Sequence, residues 1–293
     1  MGLSGARRII SIFTITAFIL QAGLFFTPAY AELPCWNDAA LTSAVGGSDA
    51  PGGAPRGDPN PLGSQKVADP VNLATGNYYY KHTDITIPLK GLPLEFNRYY
   101  NSQDNYDGPF GIGASHSYNI FLVEAIEAGV SFVIRRNPDG NKDKFTKAAS
   151  GIYTPPAGVF DNLVKTAQGY VITTKHGIIY EFNASGYLAS RTDRNQNKVI
   201  LTYAAGIGVL IKIADTQDRG VILEYNPQKK VSAIKDWTGR TWKYEYLDND
   251  LIAVTTPATE DYPSGLTTTN SYKNHKLTSI TDPKGNTYLN IIY

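Results

Sequence analysis

Five tyrosines fall on a near-regular ladder through the last third of the chain: Tyr203, Tyr225, Tyr246, Tyr272 and Tyr293. The gaps are 22, 21, 26 and 21 residues, and a further step of 21 back from Tyr203 lands on Phe182, in Gly177-Ile-Ile-Tyr-Glu-Phe-Asn. A period of this length marks a repeat architecture, in which one small unit cannot bury its apolar face until its neighbours stack on it.

A second phrase travels with the aromatics. Leu or Val, two residues, Ile or Val, one residue, then Asp or Thr recurs as Leu210/Ile213/Asp215, Val231/Ile234/Asp236, Leu251/Val254/Thr256 and Leu277/Ile280/Asp282. Its starts advance by 21, 20 and 26 residues, in step with the ladder. The extra residues of the long step lie in the loop-like stretch 257–265, which opens and closes on turn formers. Turns follow the Asp, as in Asp236-Trp-Thr-Gly-Arg240 and Asp282-Pro-Lys-Gly-Asn286. Each unit reads strand, turn, strand, turn. Trp242, Tyr244 and Tyr246 alternate with Lys243 and Glu245, as a strand with one buried face requires. The Leu and Ile of the second phrase, however, have opposite parity. Either a bulge intervenes or both faces are partly covered.

Ahead of the ladder, residues 1–31 read as a secretory signal peptide: Arg7 and Arg8, an apolar run over 9–26, then Ala29-Tyr30-Ala31 with cleavage after Ala31. The run is close to membrane-spanning length, so an uncleaved anchor is the alternative and the one route by which the chain would meet a membrane. Residues 32–66 form a Pro/Gly-rich linker, with Pro51, Pro55, Pro59 and Pro61 and little apolar surface to offset the entropy of ordering. The folded part is expected as a small β-rich domain over 67–175, followed by repeats over 176–293. Within the first, Tyr118, Ile120 and Leu122, then Val130, Phe132 and Ile134, predict a hairpin turning at Glu127-Ala-Gly129. Cys35 is the one cysteine, so no intrachain disulfide supports the fold. With 27 Lys and Arg against 26 Asp and Glu there is no field to draw in nucleic acid.

The units Glu181-Phe-Asn-Ala-Ser-Gly-Tyr-Leu-Ala-Ser-Arg-Thr-Asp193 and Val221-Ile-Leu-Glu-Tyr-Asn-Pro-Gln-Lys-Lys-Val-Ser-Ala-Ile-Lys-Asp-Trp-Thr-Gly-Arg240 resemble YD repeats of the bacterial Rhs family. So do the upstream phrases Asp69-Pro-Val-Asn-Leu-Ala-Thr-Gly-Asn-Tyr78, Leu94-Glu-Phe-Asn-Arg-Tyr-Tyr-Asn-Ser102 and Gly108-Pro-Phe-Gly-Ile-Gly-Ala-Ser-His-Ser-Tyr-Asn119, which resemble the domain that opens many Rhs proteins. The resemblance covers about residues 67 to 293. It departs at Ala114, where the family usually has Trp, at Asn226, Leu247 and Lys273, where Asp follows the repeat Tyr, and at Arg191, in an apolar position. The resemblance implies an all-β fold of antiparallel hairpin repeats in a spiralling sheet, part of a hollow shell that sequesters a toxin. Family members continue through more repeats, a self-cleaving core segment and a C-terminal toxin; this chain breaks off on the tyrosine beat.

Chemistry-bearing residues are weighed against plainer roles. His82 and Asp84 share a strand face and form a base-and-carboxylate pattern, or simply a polar surface. His116 between Ser115 and Ser117 suggests a hydrolase, but no nucleophile elbow accompanies it and neighbouring strand residues point apart. Asn137-Pro-Asp-Gly-Asn-Lys-Asp143 fails the calcium-loop template, with Arg135 in the first ligand position, and reads as a turn. Asp193, Asp215, Asp236 and Asp282 recur once per unit, as cation ligands or as turn formers. His176 and His275 lack metal-ligand spacing. No catalytic residue, metal site or cofactor is expected. Trp237 and Trp242 would stack on sugars if exposed; Phe182, Tyr203, Tyr225, Tyr246, Tyr272 and Tyr293 are structural aromatics.

The expectation is therefore a non-enzymatic β-repeat scaffold that is secreted, periplasmic or on the cell surface. Its partners would be further YD-repeat chains or a toxin payload. A secreted or surface carbohydrate-binding repeat module, with glycans as partners, is the alternative.

Overall fold

In the computed structural model the chain is described over residues 71–72, 76–205 and 208–292. Ala31, Cys35, the linker and Tyr293 lie outside the described residues. Twenty-three strands and no helix make up this part, in four antiparallel sheets, so the fold is all-β.

Ten strands build the first part: β1 (Val71–Asn72), β2 (Asn77–Ile87), β3 (Leu94–Asn101), β4 (Asp107–Gly108), β5 (Gly111–Ile112), β6 (Ala114–His116), β7 (Phe121–Glu127), β8 (Val130–Arg136), β9 (Lys142–Lys147) and β10 (Tyr153–Thr154). They form a β1-β2-β3-β6 sheet, a β10-β9-β8-β7 sheet and a β4-β5 ribbon. The hairpin expected at 127–129 is β7–β8, and Ala128 and Gly129 both take positive φ there. Its core contacts come from Leu122 and Val133. Phe121 and Ile134, on the opposite parity, are buried as well, so both faces of this hairpin are covered.

The remaining thirteen strands form one sheet in strict chain order: β11 (Asn162–Thr166), β12 (Gly169–Thr173), β13 (Ile179–Asn183), β14 (Leu188–Thr192), β15 (Lys198–Tyr203), β16 (Leu210–Asp215), β17 (Gly220–Tyr225), β18 (Val231–Asp236), β19 (Thr241–Leu247), β20 (Asp250–Thr255), β21 (Thr267–Lys273), β22 (Lys276–Thr281) and β23 (Thr287–Asn290). Every strand pairs with its sequence neighbours, as expected when each unit contacts only the next. The sheet reaches back to Asn162, ahead of the position where the ladder becomes readable. The stretch 257–265 forms the connection between β20 and β21 and adds no strand.

A register shift settles the parity question. It recurs between Glu181 and Phe182, Thr202 and Tyr203, Glu224 and Tyr225, Glu245 and Tyr246, and Ser271 and Tyr272. In each case one residue on the facing strand is skipped: Thr202 pairs with Lys212 and Tyr203 with Leu210, leaving Ile211 over. This β-bulge carries the Leu and the Ile of the phrase onto the same face despite their odd spacing. Leu210, Ile213, Val231, Ile234, Leu251, Val254, Leu277 and Ile280 are all buried. The opposite face carries Lys243, Glu245 and Thr267, all exposed, with scattered Ile200 and Ile222.

The buried face of the long sheet packs on the first part of the chain. One hydrophobic cluster runs from Tyr78, Phe96 and Phe110 through Leu122 and Phe145 to Ile213, Trp242 and Ile280. Backbones approach closely at this junction. Gly111 has φ +108°, and a Cβ there would sit 2.4 Å from the carbonyl oxygen of Asn249. Only glycine fits such a contact.

Candidate functional site

On the side of the following strand, pairing begins only two residues into each phrase, so its first residue has no ladder partner there, and a buried carbonyl without a partner costs about 1–3 kcal/mol. The ladder tyrosines supply the missing donor. The Tyr203 hydroxyl donates to the Leu188 carbonyl at 2.9 Å, Tyr225 to Leu210 at 2.7 Å and Tyr246 to Val231 at 2.8 Å. Each bond spans 15 residues and joins one unit to the one before it. The rings are part-buried against the core, as are those of Tyr272 and, more fully, Phe182.

The recurring aspartates close the turns. Asp193, Asp215, Asp236 and Asp282 each accept, on one oxygen, the backbone N–H groups two and four residues on. The second oxygen takes the side chain four residues on: Asn197, Arg219, Arg240 or Asn286. Asn183 and Asn226 hold two backbone N–H groups each in the turns at the other end of the strands, between β13 and β14 and between β17 and β18. The Asn197 side chain, helped by the backbone N–H groups of the turn, holds Asp193 below its ordinary value, and Asn286 does the same for Asp282. With their lone pairs committed in this way, the aspartates act as turn clamps. Among the described residues no group of three His, Cys, Asp or Glu is arranged to hold a metal ion.

The junction between the two parts is polar at its centre. Asp84 sits at a bulge in β2 and is gripped by Arg98 through Nε at 2.5 Å and Nη2 at 2.9 Å. The Tyr244 hydroxyl, from the long sheet, donates to the same carboxylate at 2.8 Å. Arg98 is part-buried, which alone would favour its neutral form; Asp84 outweighs that and raises its pKa. Lys230, 3% exposed, is held by the Asp107 carboxylate and the Gly108 carbonyl, the latter at 2.9 Å. Pro109 accepts the Val231 N–H at 2.9 Å, and Tyr100 accepts the Leu277 N–H at 3.0 Å. Two of the bulged phrases thus have their N–H satisfied by the first domain. On the far side Arg136, 1% exposed, pairs with Asp104 and lies 3.9 Å from the Tyr106 ring centroid. None of Arg98, Arg136 or Lys230 is marked in the sequence, because their partners are distant in it.

The remaining candidates fall into structural places. His82 Nε2 lies 3.6 Å from Asp84, but that carboxylate is already committed to Arg98 and Tyr244. Burial, then the Arg98 charge, pushes the His82 pKa down. His116 is 2% exposed, stacked on Phe96 at 4.9 Å and edge-on to Phe110 at 6.0 Å. Its Nδ1 accepts the Tyr118 N–H, and burial pushes its pKa down to about 3. Ser115 accepts from Asn119, and Ser117 accepts the Asn97 N–H, so neither hydroxyl is turned to the imidazole. Residues 137–141 close as a turn, with Asp139 accepting from the Asn141 N–H at 3.0 Å. His275 lies 3.1 Å from Asp250. Trp242 is 7% exposed within the core, which removes it from any sugar-stacking surface; Trp237, on the Asp236 turn, is 57% exposed.

Residues 68–145 match a family model described as a domain of unknown function, DUF6531. The chain is 32% identical over 134 residues to the tRNA nuclease WapA of Bacillus subtilis, and equally to the tRNA3(Ser)-specific nuclease WapA of Bacillus spizizenii. The matched stretch is 45% of this chain and 6% of those relatives. Among solved structures, the TcdB2-TccC3-Cdc42 complex superposes with a TM-score of 0.30 at 13% identity, covering 71% of this chain and 12% of the other. The Photorhabdus luminescens Tc holotoxin pore gives 0.32 at 14% identity, with 73% and 14% covered. Superpositions at that level bear on neither fold nor assembly. The domain match and the WapA relatives fit a YD/Rhs-like protein of the toxin-associated kind.

Two predictions follow from this geometry. Tyr225→Phe leaves the Leu210 carbonyl without its donor and is expected to lower stability by about 1–3 kcal/mol, read as a lower urea midpoint at unchanged slope. Tyr262→Phe, at an exposed tyrosine, should change it little; equal effects would show that the hydroxyl bond is irrelevant. His116 has a folded pKa below its unfolded value, so the unfolded chain binds the extra proton. Its contribution is complete above pH 6.5 and declines as the pH falls from there towards 3. His116→Phe should reduce the acid-side slope of stability by up to about 1.4 kcal/mol per pH unit. An unchanged slope between pH 6 and 4 would contradict a buried neutral imidazole.

Proposed function

We propose that the chain is an exported, non-enzymatic scaffold: a β-repeat wall on which further repeat units build, enclosing a toxin-type payload together with them. The observation that carries this is the thirteen-stranded sheet, each strand of which pairs only with its sequence neighbours, so that a unit can be added at an edge strand without disturbing the others. Leu289 and Ile291 continue the apolar face through the last unit. A strand edge with an apolar face is a template for another strand. The toxin-associated relatives support the payload, and the signal-like pattern of residues 1–31 supports export.

The full chain should associate with itself as its concentration rises in light scattering, and Leu289→Lys should suppress this. A monodisperse monomer at all concentrations would overturn the edge assignment, and turnover in nuclease or hydrolase screens would overturn the non-enzymatic one. The product recovered from a culture medium or periplasm should begin at Glu32; recovery of only the full-length chain from the cytoplasm would sink export.

A further inference from the structure

The first phrase of the long sheet breaks a rule that the later ones keep. It runs Leu188-Ala-Ser-Arg191-Thr-Asp193, so a guanidinium stands where the later phrases place Ile213, Ile234, Val254 and Ile280. Those four side chains are buried on the core face. The register puts Arg191 on that face too. It pairs with Tyr180 on β13 and Val199 on β15, just as Ile213 pairs with Leu201 and Val221. A local rule broken without an apolar gain marks a place where function is to be sought.

Arg191 is only half satisfied there. Its Nη2 donates to the Pro93 carbonyl at 3.3 Å, while its Nε is buried and has no hydrogen-bond partner. Among the described residues no carboxylate forms an ion pair with it. A second donor lies in the same region. The Tyr118 hydroxyl, in a residue 2% exposed, also has no partner. The Tyr118 ring is 6.3 Å from that of Phe96, so Tyr118 and Arg191 both reach the stretch 93–96 at the head of β3. Burial pushes the Tyr118 hydroxyl up to about 12, which keeps it a donor; the Arg191 charge opposes that shift and so lies within electrostatic reach of it. Two buried donors, one of them charged, call for one acceptor that carries negative charge.

We propose that Arg191 and Tyr118 together bind a halide ion, chloride, between the first domain and the first phrase of the long sheet. A water molecule would accept both donors but leave the guanidinium charge uncompensated in a part-buried place, which is costly. A phosphate group brings three strong acceptor oxygens, more than one Nε–H and one O–H can serve. Glu95, the carboxylate of the 93–96 stretch, is exposed on the strand face opposite Leu94 and Phe96, where water solvates it. Bound chloride would tie together the head of β3, the segment ahead of β7, and β14. It would thereby make the docking of the first domain depend on the surrounding salt as well as on the Asp84–Arg98–Tyr244 contacts. The proposal does not rest on the scaffold reading, since it concerns how the chain holds itself together.

The test is urea unfolding of the full chain as sodium chloride replaces sodium gluconate at constant ionic strength, gluconate being too bulky to sit between two side chains. Arg191→Ile installs the residue of the later phrases, removes the charge without emptying the core, and reads out the general effect of the salts. Relative to it, the wild-type midpoint should rise with chloride and level off as the site fills. Tyr118→Phe, which loses only the hydroxyl, should lose much of that rise. Crystals soaked in sodium bromide should show an anomalous peak between Tyr118 Oη and Arg191 Nε. Glu95→Gln should keep the chloride effect. The same chloride response in wild type, Arg191→Ile and Tyr118→Phe would overturn the proposal, as would bromide absent from this place. A chloride effect seen only in Glu95→Gln would make Glu95 the counter-charge and overturn it equally.

Discussion

Everything in the long sheet depends on one residue per unit, the first of each phrase, which has no ladder partner on the following strand. A two-strand unit whose phrase is spaced Leu-x-x-Ile cannot present both side chains to one core in regular β geometry, because side chains alternate with a period of two. The bulge inserts one residue and restores the common face; on the other side the following strand begins to pair only two residues later, which leaves a carbonyl and an N–H outside the ladder. Burying those groups unpaired, unit after unit, would cancel much of what the apolar face contributes. The tyrosine hydroxyl resolves the conflict from the next unit. Apolar packing and polar satisfaction thereby become the same inter-unit contact, which explains why the aromatic and the phrase keep step in the sequence.

The first domain acts on the N–H groups of residues that open the phrases. Pro109 and Tyr100 accept the Val231 and Leu277 N–H groups, so the domain is fitted to the bulged rows rather than to any flat apolar surface. The buried Asp84–Arg98 pair, bridged to Tyr244, adds little net stability, since desolvation offsets much of the attraction. Its value lies in register. Displacing the domain by one strand would leave a buried carboxylate and guanidinium misaligned with Tyr244, and Lys230 away from Asp107. Only one docking of domain on sheet satisfies all of these groups together.

The sequence showed what local chemistry controls. The ladder, the alternation at Trp242, Tyr244 and Tyr246, the β7–β8 hairpin and the Asp-to-Gly turns are all set by neighbours a few residues apart. The odd parity of Leu210 and Ile213 announced either a bulge or a doubly covered face, and only the register Tyr203 to Leu210 decides between them. Contacts across more than a hundred residues, such as Lys230 to Asp107 or Tyr244 to Asp84, left no pattern to read. Trp237 and Trp242 looked equivalent as aromatics. One belongs to a turn and one to the core face of β19, which separates their exposures.

The long unit shows which part of the arrangement is essential. The connection at 257–265 delays the next aromatic, so the 15-residue relation between tyrosine and phrase is lost. The Leu251 carbonyl is nevertheless satisfied, by the Asn270 side-chain N–H at 2.8 Å. The bulge is kept there too, between Ser271 and Tyr272. The invariant of the repeat is then the bulged peptide and a donor for its carbonyl, and tyrosine is the commonest way of providing one. This accounts for a ladder that tolerates an irregular step without losing a strand. Units of this architecture are defined by which backbone groups the sheet leaves outside its ladder, and the side chains vary within that constraint.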